Sequence, residues 1–411
     1  MHSRALGFAF TLLVLASGAS CHGSSDVCAD VAARIETCGF PQSTLACDRT
    51  SVSALESFAE RLESRGCSAS VSTTDDGAVD PRLCALADWS CPASPTPAPA
   101  LAGTKYPVLF VSGIDDSPLF DWNPRILDAV NGTSRAVHVH VSPWASTAQR
   151  AGDLWSAIRI ELSRGAARVN LVCYAVAGID CRYLASPGGL FADDSASSAR
   201  VQSAIASVTT VSTPHRGTRV AEVASSLVGQ SEGSDVLAAL VGSAPSAANA
   251  STQSALRPVL DALSLEAMGA FNARVVDAPG VFYQSFAGVS APFGRVAKNT
   301  ERDVQAHCVD ESGAFVFQRH EGTADTLAAP LLATVAFAGA ARADDGRVST
   351  SPSDGMIAVD SAKWGHFGGC LPADHYDVIG QMGHLTRDPQ TGFDAPLFYR
   401  WLAGDLAARG L

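Results

Sequence analysis

The chain has 411 residues, 47% of them hydrophobic and 17% charged, with a formal net charge of -12. This composition suits a well-buried globular core and excludes a disordered chain. The acidic balance excludes nucleic acid as a partner, because that role needs a basic face. Past the N-terminus no stretch reaches the roughly 20 apolar residues that a membrane-spanning helix requires.

Residues 1–20 read as an export signal: Arg4 supplies the positive start, and the apolar run Ala5 to Ala16 is too short for a stable span. The run ends Gly18-Ala19-Ser20-Cys21, which resembles a bacterial lipoprotein cleavage box with Cys21 as the lipid acceptor. Gly18 departs from the aliphatic residue usual there, so plain secretion after cleavage nearby is the alternative. The expected location is therefore the cell envelope or the exterior, with membrane contact through an N-terminal lipid.

Cysteine usage agrees with export. Of the 11 cysteines, Cys28, Cys38, Cys47, Cys67, Cys84 and Cys91 fall in residues 21–91, a small helical module with enough cysteines for three disulfides. Apolar residues at helical spacing (Val31, Ile35; Leu55, Phe58, Leu62) suggest helices, and crosslinks must supply much of the stability of so small a core. Zinc is a poor rival, since no C-x-x-C spacing or neighbouring histidine pair is present. Residues 92–103, rich in proline and alanine, read as a semi-rigid linker. A single large domain is expected over 104–411.

From Tyr106 onward, apolar runs alternate with helical patterns, the signature of a mainly parallel sheet covered on both faces. Strands are expected at 107–111, 136–141, 169–172, 207–211 and 281–287, with a further one at 335–338. A helix is expected over 148–163, carried by Ala151, Leu154, Ile158 and Leu162. Residues 221–274 read as Ala/Ser/Leu-rich helices with apolar stripes at Val228, Leu237, Leu240, Val241, Leu256, Val259, Leu260 and Leu263. Such stripes fit core packing.

The run Val169-Asn170-Leu171-Val172-Cys173-Tyr174-Ala175-Val176-Ala177-Gly178 resembles the strand, turn and helix of an α/β-hydrolase elbow. There the pattern G-x-S-x-G lifts a serine hydroxyl above the sheet. Here Cys173, Ala175 and Ala177 stand at the glycine, serine and glycine positions. Four further segments follow the same order. Pro107 to Ile114 looks like the first strand and its H-G turn, with Ser112 for the histidine. Thr213-Pro214-His215-Arg216-Gly217 matches a T-P-H-R-G run. Ser353-Asp354-Gly355-Met356-Ile357 looks like an N-D-G turn, and Asp374-His375-Tyr376-Asp377 like a histidine loop. Together they make the region from Tyr106 similar to the Pseudomonas/Burkholderia-type triacylglycerol lipases, which implies an α/β-hydrolase fold with a helical lid, in residues 221–274, over an apolar cleft.

The resemblance assigns the base to His375, its orienting acid to Asp354, and the oxyanion donors to the backbone N–H groups of Ile114 and Val176. It also implies a structural calcium ion held by Asp325 and Asp377, with Gln381 and Leu385 nearby. A Cys308–Cys370 bridge would replace the disulfide that relatives place around this loop, where Asp360 now stands. His215 is read as structural.

Acyl transfer needs a hydroxyl, a base and oxyanion donors. The methyl group of Ala175 cannot attack an ester, and in a serine hydrolase loss of the nucleophile costs on the order of a millionfold in kcat. The first expectation is therefore a catalytically impaired, lipase-like protein that binds a lipid, an acyl ester or an envelope protein. The second is an active carboxylic-ester hydrolase using an unorthodox nucleophile (Cys173, Tyr174 and Asp180 are nearest) or water activated by His375. The third is an interaction protein acting through its cysteine-rich module.

Overall fold

Six short apolar runs pair into one sheet in the computed structural model, which describes residues 103–114, 117, 119–228, 250–295, 304, 306–308, 324–342, 346–381, 388 and 391–411. The strands are β1 (Val108–Val111), β2 (Ala136–Val139), β3 (Val169–Tyr174), β4 (Ile205–Val211), β5 (Phe282–Gly288) and β6 (His366–Leu371). Their spatial order is β6-β5-β4-β3-β1-β2, and every neighbouring pair is parallel. A parallel sheet must be covered on both faces. Alternate residues of β1 accordingly serve two cores, Val108 and Phe110 on one face, Leu109 and Val111 on the other.

Helices α1 (Pro124–Asn131), α5 (Arg219–Leu227), α6 (Ala250–Ala262) and the C-terminal α8 (Ala395–Ala408) cover the Phe110 face through Ile126, Ala224, Leu260 and Phe398. Helices α2 (Thr147–Ser163), α3 (Ala177–Ala185) and α4 (Ser195–Ala204) cover the Val111 face through Leu154, Leu184 and Val201. Helix α7 (Leu265–Arg274) leads into β5. Sequence explains the helix starts: Asn123, Ser146, Asp194, Thr218, Ser264 and Asp394 each cap the following helix by accepting from a backbone N–H.

Five of the six strands lie where the apolar runs predict, with ends moved by a residue or two; β6 was not anticipated, because Gly368-Gly369 interrupts its apolar run. One expected strand is corrected: residues 335–338 form a short helix, Val335–Ala338, following a 3-10 turn at Ala329–Ala333. Pro330 opens that turn, and two alanines among the four helical residues oppose a strand. Among the described residues no helix is long and apolar enough to cross a membrane. The export signal, Cys21, the cysteine-rich module, the linker through residue 102, lid-stripe residues Leu237, Leu240 and Val241, and Leu385 lie outside the described residues.

In strand order the chain turns outward from β1 to β2, then crosses back to β3 and proceeds the other way. The switch lies between β1 and β3. Open parallel sheets gather ligands outside the carboxyl ends of their strands at such a point.

Candidate active site

The carboxyl end of β3 carries the elbow. Ala175 has φ 50°, a left-handed conformation uncommon for a residue with a side chain. Its N–H donates to the Val211 carbonyl at 2.9 Å, and α3 begins two residues later. The return demands a glycine at 178, where a Cβ would stand 2.1 Å from Thr213 Oγ1. A disulfide joins Cys173 on β3 to Cys181 on α3, stapling both limbs of the elbow. This pairing was not anticipated in sequence, although Cys173 does point into the opposite core from the neighbouring Tyr174.

The three residues that the sequence offers as replacement nucleophiles are all engaged. Cys173 is half of that disulfide. Tyr174 donates its hydroxyl to the His375 carbonyl at 2.7 Å, and burial raises its pKa well above 10. Asp180 pairs with Arg150 at 2.7 Å; burial pushes its pKa up to about 6 despite the opposing pull of Arg150. Ser112 donates to Asp121 and lies 2.8 Å from His138 Nε2, with no hydrogen bond to His375.

The relay that a serine would need is assembled. His375 Nδ1 lies 2.8 Å from Asp354 Oδ2, and both side chains are almost fully buried. The second carboxylate oxygen, Asp354 Oδ1, accepts from the N–H groups of Met356 and Ile357 at 2.9 and 2.7 Å. The His375 N–H in turn donates to the Asp354 carbonyl at 2.9 Å. This turn needs its glycine: Gly355 has φ 92°, and a Cβ there would meet Leu327 at 2.5 Å. The His375 ring is held between Tyr174 and Phe120, with centroids 5.1 and 6.2 Å away.

The structure brings Ala175, His375, Ile114 and Val176 to one narrow cavity of about 30 Å³. Val220 and Ala221 of α5, Leu260 of α6 and Leu263 roof it, so part of the predicted lid region closes over the site. Val228 and Leu256 of the same stripes are core residues. The cavity lining holds one hydroxyl, Thr218, which donates to the Met356 carbonyl at 2.7 Å. Neither the Ile114 nor the Val176 N–H has a hydrogen-bond partner among the described residues. Both therefore remain available to an oxygen placed beside them.

Beside His375 stands a carboxylate cluster. Asp325, Asp374 and Asp377 bring one oxygen each within 4.8 Å of one another. Burial, reinforced by mutual repulsion, raises the pKa of Asp325 and Asp377 far above the ordinary 3.8. Asp377 Oδ1 is buried without a hydrogen-bond partner. Asp374 fixes the histidine loop, accepting from the N–H groups of Tyr376 and Asp377 at 2.8 and 2.9 Å. Of the sequence-derived ligand set, Asp325 and Asp377 meet here. Gln381 Nε2 is used elsewhere, donating to the Asp121 carbonyl at 2.7 Å. Asp374 and Asp388, whose side chain bonds to Asp325, were missed. Asp374 stands directly before His375 in the quoted motif, the one signal that would have flagged it. The Cys308–Cys370 bridge is formed.

His215 has no part in the cavity. It is buried between Arg182 and Thr210, 3.2 and 2.8 Å from its two ring nitrogens, and burial with two nearby guanidinium charges lowers its pKa well below 6.5.

No protein-family model matches this chain, and no curated protein does. Similar solved structures include the mature Bacillus licheniformis lipase BlEst2, at 16% identity and TM-score 0.42, covering 67% of this chain and 87% of that one. They also include Pelosinus fermentans lipase 1, at 14% identity and TM-score 0.44, covering 74% and 98%. Staphylococcus hyicus lipase is a third, at 14% identity and TM-score 0.42, covering 76% and 98%.

Proposed function

We propose that this chain is an exported, lipase-like protein of the α/β-hydrolase type that has lost turnover and retains an acyl-binding site. One observation carries the reading: the elbow tip is Ala175, held at φ 50° beside an intact Asp354–His375 relay. His375 and Asp354 stand beside a position that has no attacking oxygen, and the Ile114 and Val176 N–H groups have no hydrogen-bond partner among the described residues. Cys173, Tyr174 and Asp180 are all committed to other bonds, so none of these three replaces the missing nucleophile. Removing such a nucleophile raises the barrier by about 8 kcal/mol. The apolar cavity under α5 and α6 suits an acyl chain once these helices move apart.

Calcium fits the cluster beside His375. Its donors are hard carboxylate oxygens, the type calcium takes, and the orphaned Asp377 Oδ1 lacks the partner that a cation would supply. Asp325, Asp374 and Asp377 would hold the ion. Bound there, it would neutralise their repulsion and stiffen the loop that presents His375. We further propose that export follows cleavage before Cys21, with lipid on that residue, and that the partner is a lipid or acyl ester, or an envelope protein.

A second reading, hydrolysis by a water that His375 activates, is favoured by the intact relay and the free donors. Hydrolysis of p-nitrophenyl esters separates the two. The wild-type protein should give no turnover above background and no fluorophosphonate labelling, whereas Ala175→Ser should acquire both. Wild-type turnover that His375→Ala abolishes would establish the second reading and sink the first.

A further inference from the structure

We propose a second metal site, for a zinc-class divalent cation, built from His138, His140 and Asp121. It lies on the Phe110 face of the sheet edge and is separate from the carboxylate cluster. Its origin is a sequence alternation, His138-Val139-His140, that leaves edge strand β2. Side chains two residues apart on a strand share a face, and the two imidazole rings lie 4.0 Å apart between centroids. The loop after β1 brings Asp121 to them, so that one ligand atom from each of the three residues lies within 4.8 Å of the others.

Two imidazoles and a carboxylate form a donor set suited to zinc, which takes three protein ligands and an open position filled by water. Calcium is disfavoured, because it prefers oxygen. Asp121 Oδ1 is already 2.7 Å from His138 Nε2. Ser112 Oγ donates to the same carboxylate oxygen at 2.8 Å and sits 2.8 Å from the same imidazole nitrogen. Because Asp121 and Ser112 crowd a single ring nitrogen, the trio cannot act as a nucleophilic relay, in which acid and hydroxyl take opposite nitrogens. A cation entering between His138 and Asp121 would take over this crowded point, leaving Ser112 as a support to the carboxylate. Among the described residues His140 has no hydrogen-bond partner, so its ring is free to join.

The place has a consequence for the cavity. Ser112 and Asp121 bracket the loop that carries Ile114 and Phe120, both of which line the cavity. A cation joining Asp121 to β2 would tie the far end of that loop to the sheet.

The test uses the full-length, disulfide-bonded protein, stripped with chelator and titrated with zinc chloride in saturating calcium. One equivalent of zinc should bind and raise the melting temperature, and cobalt should give the visible absorption of a nitrogen- and oxygen-ligated tetrahedral ion. His140→Gln, at an exposed position, should fold as wild type and weaken zinc binding about tenfold or more, as should Asp121→Asn. Asp377→Asn should leave zinc binding intact. Absence of zinc binding by the wild type, or equal binding by His140→Gln and Asp121→Asn, would overturn the proposal.

Discussion

Arg150 and Asp180 form an ion pair at 2.7 Å with side chains 1% and 0% exposed, and this pair joins the two halves of the candidate site. Asp180 lies on α3, just after the elbow. The Arg150 guanidinium also donates to the Gly113 and Ile114 carbonyls, at 2.6 and 3.3 Å, and so fixes the loop whose Ile114 lines the cavity.

Breaking a buried pair strands a charge, which costs about 3–5 kcal/mol. Arg150→Met should therefore lose about that much in urea unfolding, while Arg150→Met with Asp180→Leu should recover most of it. The loss has a pH signature. Asp180 titrates at about 6 in the fold, above the ordinary 3.8, so its protonated form favours folding and that benefit disappears as pH rises through about 6. The single variant should lose less at about pH 5 than at about pH 8. A loss independent of pH would show that Asp180 is not the stranded charge.

The carboxylate cluster makes the opposite use of charge. Asp325 and Asp377 have folded pKa values raised above 3.8, chiefly by burial. A raised carboxylate supports the fold at low pH and ceases to do so as pH climbs, because the folded state must release a proton it holds tightly. Calcium replaces those protons, so its stabilisation grows with pH. Melting curves should show a larger calcium-induced shift at about pH 8 than at about pH 5. Asp377→Asn should reduce the shift while leaving the calcium-free protein at least as stable as wild type at the higher pH. A calcium response independent of Asp377 would place the ion elsewhere.

How far sequence reached these features depended on whether the deciding contact is local. Five strands of the sheet were legible because buried parallel strands read as continuous apolar runs, as in Val169–Tyr174; β6 was not, since Gly368 and Gly369 break its run. The elbow and the Asp354-Gly355 turn were legible because each is fixed within a few residues, by Gly178 against Thr213 and by Gly355 at φ 92°. The Cys173–Cys181 bridge was not, since pairing depends on how far α3 folds back over β3. Asp374 and Asp388 escaped because a carboxylate cluster forms only after separate loops meet. Residues 335–338 misled because a short apolar run has no period long enough to separate strand from helix.

Ala175 carries the last prediction. A left-handed conformation costs an ordinary L-residue about 1–2 kcal/mol, and glycine escapes that cost because it has no Cβ. At φ 50° Ala175 bears this strain without a hydroxyl to present. Its backbone is pinned by the bond to Val211 and by the disulfide across the elbow, so the turn holds its left-handed conformation. Ala175→Gly should therefore stabilise the protein by about 1 kcal/mol in chemical unfolding, net of the greater freedom glycine has in the unfolded chain. Ala175→Ser should show no such gain, since it keeps the Cβ and the strain. Equal stabilities for the glycine variant and the wild type would mean that alanine sits at this tip without strain in solution.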